Sequence, residues 1–146
     1  INAQHQVVVI DNLSQGIREA VRPAAAFYEL DIAETDRVTQ ILTKHGIDCV
    51  MHFAAFANVA DSVSDPLSYY RNNTNGTISL LTAMQSAGTH KLVFSSTCAT
   101  YGEPETIPIT EETFQNPINP YGWSKLFVER ILRDLSASDP QFGFIA

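Results

Sequence analysis

Gln6-Val-Val-Val-Ile10 is a continuous, largely β-branched run with no polar alternation. That is the pattern of a strand buried on both faces inside a parallel sheet. Further short runs of strand character follow at Phe27–Leu30, Asp48–Phe53, Lys91–Ser95 and Phe142–Ile145. Helical patterns lie between them. Asp36 to Lys44 places Val38, Ile41 and Leu42 on one face and stops at Gly46. Asp65-Pro66 supplies an N-cap and a first-position proline for a helix that continues through Leu67, Tyr70, Ile78, Leu81 and Met84 to Gly88. Residues 121–136 set Val128, Ile131, Leu132 and Leu135 on an apolar stripe facing the sheet. Strands alternating with helices specify an α/β fold with a doubly wound parallel sheet. At 146 residues the chain is one domain at most, and 45% hydrophobic against 17% charged content suits a soluble globular core.

Charge and cysteine usage narrow the function. A net charge of -7 without any Lys/Arg cluster excludes a nucleic-acid surface. No apolar run approaches a membrane span, and no leader-like stretch precedes the first strand. Cys49 and Cys98 read as free thiols of a reducing compartment, so a cytoplasmic protein is expected. Cys49 and His52 have a superficially metal-like spacing, but alternate side chains of a strand point to opposite faces, and no metal is expected.

The chemistry gathers between Phe94 and Lys125. The run Lys91-Leu-Val-Phe94 ends in the hydroxyl cluster Ser95-Ser96-Thr97. A polar, Pro-interrupted stretch, 103–120, follows as a surface loop over the site, and then Pro120-Tyr-Gly-Trp-Ser-Lys125 opens a helix. Tyr121 and Lys125 stand one turn apart on one helix face. A phenol titrates near ~10 and is a poor base at neutral pH. A nearby ammonium favours the phenolate and brings it toward working range, and a hydroxyl from the Thr97 loop can share the moving proton. Upstream, Ala54 and Ala55 follow a strand, where small residues let the backbone approach a ligand. Asn72, Asn73 and Asn75 are unusual inside a helix; Asn72 is read as facing a ligand and the others as ties to adjacent loops.

Ser95-Ser-Thr-Cys-Ala-Thr-Tyr-Gly102 and Asn119-Pro-Tyr-Gly-Trp-Ser-Lys125 resemble the extended short-chain dehydrogenase/reductase superfamily, in particular its NAD-dependent epimerase/dehydratase family and, within that, the UDP-glucose 4-epimerases. Asp11-Asn-Leu13, His52-Phe-Ala-Ala55 and Tyr70-Arg-Asn-Asn-Thr-Asn-Gly-Thr77 extend the resemblance over nearly the whole chain. The resemblance implies a Rossmann-like fold holding NAD and acting on a UDP-sugar, as a homodimer in full length. Thr97, Tyr121 and Lys125 are its implied catalytic residues. Asp11 and Asn12 would meet the adenosine ribose, where an acid repels a 2'-phosphate and favours NAD over NADP. Asp31 and Ile32 would meet the adenine. Phe53, Ala54, Ala55, Asn72 and Ser95, with Tyr121 and Lys125, complete the implied cofactor contacts. One position departs: the family often carries Lys four residues after Phe53, and Ala57 stands here, so a contact is lost or Asn58 replaces it. Rival readings are a UDP-arabinose or UDP-xylose 4-epimerase, a dehydratase or decarboxylase, and a non-catalytic NAD-binding regulator. The dehydratase pattern would put an Asp-Glu pair where Cys98 and Ala99 stand.

Such a fold opens with a strand, a glycine-rich turn and a helix that receives the pyrophosphate. The sequence has no G-x-x-G-x-x-G or G-x-G-x-x-G. It reads as residues 1–146 of a partial NAD-binding domain, lacking the first βα unit and the C-terminal substrate domain, its first five residues resembling the tail of a helix. The absent strand would be central, between the strands at 6–10 and 49–53, leaving two long unpaired edges.

Overall fold

A computed structural model describes residues 5–146. The element order is β1 (Val8–Asp11), β2 (Ala26–Glu29), α1 (Thr35–His45), β3 (Val50–His52), α2 (Val59–Ser64), α3 (Pro66–Tyr69), a π-helical turn (Tyr70–Asn75), α4 (Gly76–Ala87), β4 (Lys91–Phe94), α5 (Pro120–Ser138) and β5 (Gly143–Ile145). Short 3-10 turns lie at Arg18–Ala20 and Cys98–Tyr101. Every strand pairing is parallel, but the strands form two sheets: β1 with β2, and β3-β4-β5. No ladder joins β1 to β3 among the described residues. This is the gap expected between the strands at 6–10 and 49–53. The facing edges are short, four and three residues, rather than long.

Apolar side chains of β4 and three helices build the core. Val38, Leu42, Leu81, Met84, Leu92 and Val128 are all buried in one cluster. Ile131 and Leu135 pack against it from the expected stripe of α5. Helix α1 ends in a left-handed cap at Gly46, as its sequence indicates.

Several expectations are corrected. β1 begins at Val8 rather than Gln6, and none of its four residues is fully buried; it pairs with β2 alone, and its other edge has no partner among the described residues. Met51 of β3 and Phe53 just after it, which share one face, are each 62% exposed. Of the five residues read as a helix tail, 1–4 lie outside the described residues and His5 is in no helix. The helix from Asp65 toward Gly88 is not uniform: Asp65 does cap it, accepting from Ser68 N at 3.3 Å, but its middle widens into the π turn that holds Asn72 and Asn73. Helix α2, capped by Asn58, is an element the sequence pattern does not mark: it is six residues long, and its one apolar pair, Val59 and Val63, is exposed rather than turned to the core.

Candidate active site

Two groups of side chains meet where the carboxyl ends of the strands open. The first lines a cavity of about 220 Å³. Asp11 and Asn12 enter it from the end of β1, Asp31 and Ile32 from the end of β2. Phe53, Ala54 and Ala55 form its other wall after β3, and Asn72 closes it from the π turn. The acidic corner is held by short polar contacts. Asp11 Oδ1 accepts from Leu13 N at 2.7 Å, and Asp31 Oδ1 from Ala33 N at 2.8 Å. Asn12 Nδ2 donates to Asp31 Oδ2 at 2.8 Å, so the two strand ends are tied together. Gly16 also lines the cavity, and a Cβ there would fall 2.4 Å from Asp11 Oδ1. Only glycine lets the carboxylate sit where it does. The sequence shows Gly16 as an ordinary turn glycine and carries no sign of this contact.

The second group lies at the end of β4 and the start of α5. Asn119 caps α5, its Oδ1 accepting from Gly122 N at 2.8 Å, and Pro120 takes the first helical position. Tyr121 is therefore fixed in the first turn, half-buried, with its ring edge-on to Tyr69 at 6.4 Å. Gly122 brings the Cys98–Tyr101 turn against this helix start: a Cβ at 122 would lie 2.5 Å from Ala99 O. Thr97 caps that turn, its Oγ1 accepting from Ala99 N at 3.2 Å. A hydroxyl that accepts in this way still has its proton to donate. Lys125, only 3% exposed, donates from Nζ to Ser95 O at 2.8 Å and lies 4.8 Å from the centre of the Phe94 ring. Burial pulls its ammonium down from the ordinary 10.5 to about 8. The carbonyl uses one of three ammonium donors.

A buried polar network joins the two groups. Asn73 takes the backbone of Phe56 on both sides, accepting from its N at 2.8 Å and donating to its O at 2.9 Å. Its Nδ2 also donates to Ser124 Oγ at 3.0 Å, and Ser124 Oγ donates to Tyr121 O at 2.7 Å. Asn72 Nδ2 reaches Asn73 Oδ1 at 3.0 Å. The π turn presents both asparagines at once, one to the cavity and one to α5; such turns recur at functional sites. Beneath, Thr77 Oγ1 donates to Asn73 O at 2.6 Å and lies 2.8 Å from His52 Nε2. The threonine has one proton, already given to Asn73 O, so His52 donates from Nε2. Burial first, then the Lys125 charge, lowers His52 from 6.5 to about 4. Asn73 thus acts as the expected tie, whereas Asn75 stands exposed. Asn58 spends its side chain on the cap of α2, accepting from Ala60 N at 3.0 Å, and Ala57 is exposed. Cys49 and Cys98 are free and exposed, and His52 turns inward away from Cys49.

A parallel αβ chain with acids closing its first strands, small residues closing the next, and a Tyr-Lys pair beside strand-end hydroxyls is a dinucleotide-binding domain of the Rossmann class. The chain belongs to the NAD dependent epimerase/dehydratase family, whose profile it matches over residues 1–146. It is 52% identical over 130 residues to the UDP-glucose 4-epimerase of Lacticaseibacillus casei, covering 89% of this chain and 39% of that protein. It is 43% identical over 145 residues to UDP-arabinose 4-epimerase 1 of Arabidopsis thaliana, covering 93% of this chain and 35% of that one. The crystal structure of UDP-glucose 4-epimerase from Brucella ovis in complex with NAD superposes with a TM-score of 0.94 at 45% identity, over 98% of this chain and 43% of that chain. The chain thus spans about two fifths of the length of the curated relatives it matches.

Proposed function

We propose that the protein carrying this sequence is a nucleotide-sugar 4-epimerase that interconverts UDP-glucose and UDP-galactose with bound NAD. The observation that carries the reading is Lys125, buried on Ser95 O one helical turn from Tyr121 and beside the capped Thr97 turn. The chemistry of the cavity supports this cofactor: Asp11 and Asp31 are acceptors suited to ribose hydroxyls and an adenine amine, Gly16 leaves room for the Asp11 carboxylate, and Ala54-Ala55 allow close approach. When bound, NAD supplies the acceptor and then the donor for the hydrogen at sugar C4, so the sugar passes through a 4-keto form. The residues handle the proton. Tyr121 takes it from the 4-hydroxyl and returns it, Thr97 hydrogen-bonds the same oxygen, and Lys125 meets the nicotinamide ribose with its remaining donors. Asp11 and Asn12 hold the adenosine ribose, Asp31 and Ile32 the adenine, and Phe53, Ala54, Ala55, Asn72 and Ser95 the pyrophosphate and nicotinamide half.

The described region is read as part of an NAD-binding domain, with the glycine turn and the sugar-holding domain supplied by other segments of the protein. The gap between β1 and β3 and the share of its relatives that the chain spans support this. A homodimer is favoured by the exposed apolar side chains Val63, Leu67 and Phe127, the last with the rings of Tyr70 and Trp123 tilted against it. No helix among the described residues is long and apolar enough to cross a membrane, and the two exposed free thiols favour the cytoplasm. The second reading, a UDP-arabinose 4-epimerase, is favoured by the likeness to the plant enzyme.

The test is made on the full-length protein. It should convert UDP-galactose to UDP-glucose and release NAD, not NADP, on denaturation. Faster conversion of UDP-arabinose would select the second reading, and NADP as the bound species would remove the role given to Asp11. Tyr121→Phe should lower kcat by about 10²–10⁴ with NAD retained, and a variant keeping more than about a third of wild-type kcat takes Tyr121 out of the mechanism.

A further inference from the structure

Glu129 lies one turn beyond Lys125 on the same face of α5, and it is only 7% exposed. Donors from three separate segments converge on its carboxylate. The Ser96 hydroxyl, in the loop after β4, donates to Oε1 in a very short hydrogen bond. Gln115, from the loop that precedes α5, donates from Nε2 to Oε2 at 3.0 Å. Arg133, one turn further along the helix, donates to Oε2 at 3.1 Å. The same Gln115 Nε2 reaches Thr100 Oγ1 at 3.2 Å, inside the turn that Thr97 caps. A carboxylate is kept at such depth only with a full set of donors, and here they come from each segment around the proton-transfer site. Nothing in the proposed proton transfer uses Glu129 directly.

We propose that Glu129 is a positioning residue for that site, a proposal that rests on the 4-epimerase reading. Ser96 is the middle of three consecutive residues, each held by a different partner. Ser95 O receives Lys125 Nζ, the Ser96 hydroxyl is gripped by Glu129, and Thr97 caps its own turn. Thr97 is extended, with φ -155 and ψ 148, so its side chain and that of Ser96 leave the chain on opposite sides. Gripping the Ser96 side chain from behind therefore sets the peptide on each side of it. One of those peptides places the carbonyl under Lys125, and the other aims the Thr97 hydroxyl. Through Gln115 the same carboxylate fastens the 103–119 loop to the Thr100 turn. With Glu129 removed, Ser96 is free to turn and the Lys125 and Thr97 positions are no longer set by one point. A displacement near 1 Å at reacting groups costs on the order of 10² in rate.

The experiment compares Glu129→Ala, Glu129→Gln and Ser96→Ala in the full-length enzyme, with Arg130→Ala as a surface control on the same helix. Kinetics are normalised to NAD-loaded subunits, so partial unfolding or cofactor loss does not count as slower chemistry. Glu129→Ala and Ser96→Ala should each lower kcat by about 10- to 100-fold, with KM for UDP-galactose changing less than about threefold. Glu129→Gln keeps an acceptor for Ser96 and should recover most of the rate. A merely structural carboxylate would instead lower the melting temperature or the NAD-loaded fraction and leave kcat per loaded subunit unchanged. That result, or full kcat in Ser96→Ala if Glu129→Ala does not fold, overturns the proposal. A wild-type enzyme that turns over no UDP-sugar overturns the 4-epimerase reading and this role with it. An active wild type with unaffected variants overturns the Glu129 role alone.

Discussion

At the scale of single residues, the site depends on side chains whose neighbours leave them little freedom. Gly16 is one: its missing Cβ is the space that Asp11 Oδ1 occupies. Gly16→Ala should push the carboxylate off the position proposed to meet the ribose and weaken NAD binding by roughly tenfold, the equivalent of about 1.4 kcal/mol. Titration calorimetry of the full-length protein with NAD checks it, with unchanged affinity counting against the ribose role. His52 is another. Its native imidazole takes a proton only near 4, against 6.5 in its ordinary state. Between these values the unfolded chain binds a proton that the native state refuses, so stability is full above 6.5, falls as the pH drops toward about 4, and levels off below. The loss amounts to about 3 kcal/mol from this one group. Urea midpoints measured across that range should fall with pH in the wild type and show a flatter course in His52→Asn.

At the scale of elements, the first turn of α5 carries the Tyr121 phenol, so under the proposed function its cap bears on proton transfer as well as on stability. Asn119→Ala leaves Gly122 N without its 2.8 Å acceptor. It should cost about 1 kcal/mol of stability, and Asn119→Asp should restore most of that, since Asp caps equally well. The fraying falls on Tyr121, so kcat should drop more than NAD affinity does. Steady-state kinetics beside thermal melts separate the two effects; equal losses in both would show a general loosening instead. The π turn plays the corresponding part for Asn72 and Asn73. A regular α-helix would turn these successive residues about a hundred degrees apart, without the widening that lets one reach the cavity while the other ties Phe56 to Ser124.

For the whole molecule, the two sheets matter most. The end of β1 and the segment that follows β3 line the same cavity, neither strand has a partner on its other edge among the described residues, and Met51 and Phe53 lie exposed. Unpaired edges and bare apolar side chains favour association over a stable single chain. Residues 1–146 expressed alone should aggregate, bind NAD weakly and show no epimerisation, because backbone donors of a glycine turn and helix N-terminus for the pyrophosphate are not among them. Light scattering, calorimetry and a UDP-galactose assay on that segment test the expectation. Micromolar NAD affinity would show that the cavity walls suffice without those donors.

Local pattern was enough to determine the parallel αβ class, the strand-helix order, the caps at Asp65 and Gly46, the Tyr121–Lys125 spacing and the place of the gap. Each of these depends on residues near one another in the chain or on a rule of connection. The half-exposure of β1, the separate helix α2, the π turn and the convergence of Ser96 and Gln115 on Glu129 depend on partners distant in sequence or on an edge without a partner, and Gly16 beneath Asp11 depends on how the turn between them closes. Glu129 reads as one more polar position on a surface helix until the fold brings residue 96, 33 positions away, against it. Tertiary structure alone decided those, because burial and hydrogen bonding are settled by what packs against a residue, and its neighbours in sequence do not specify that.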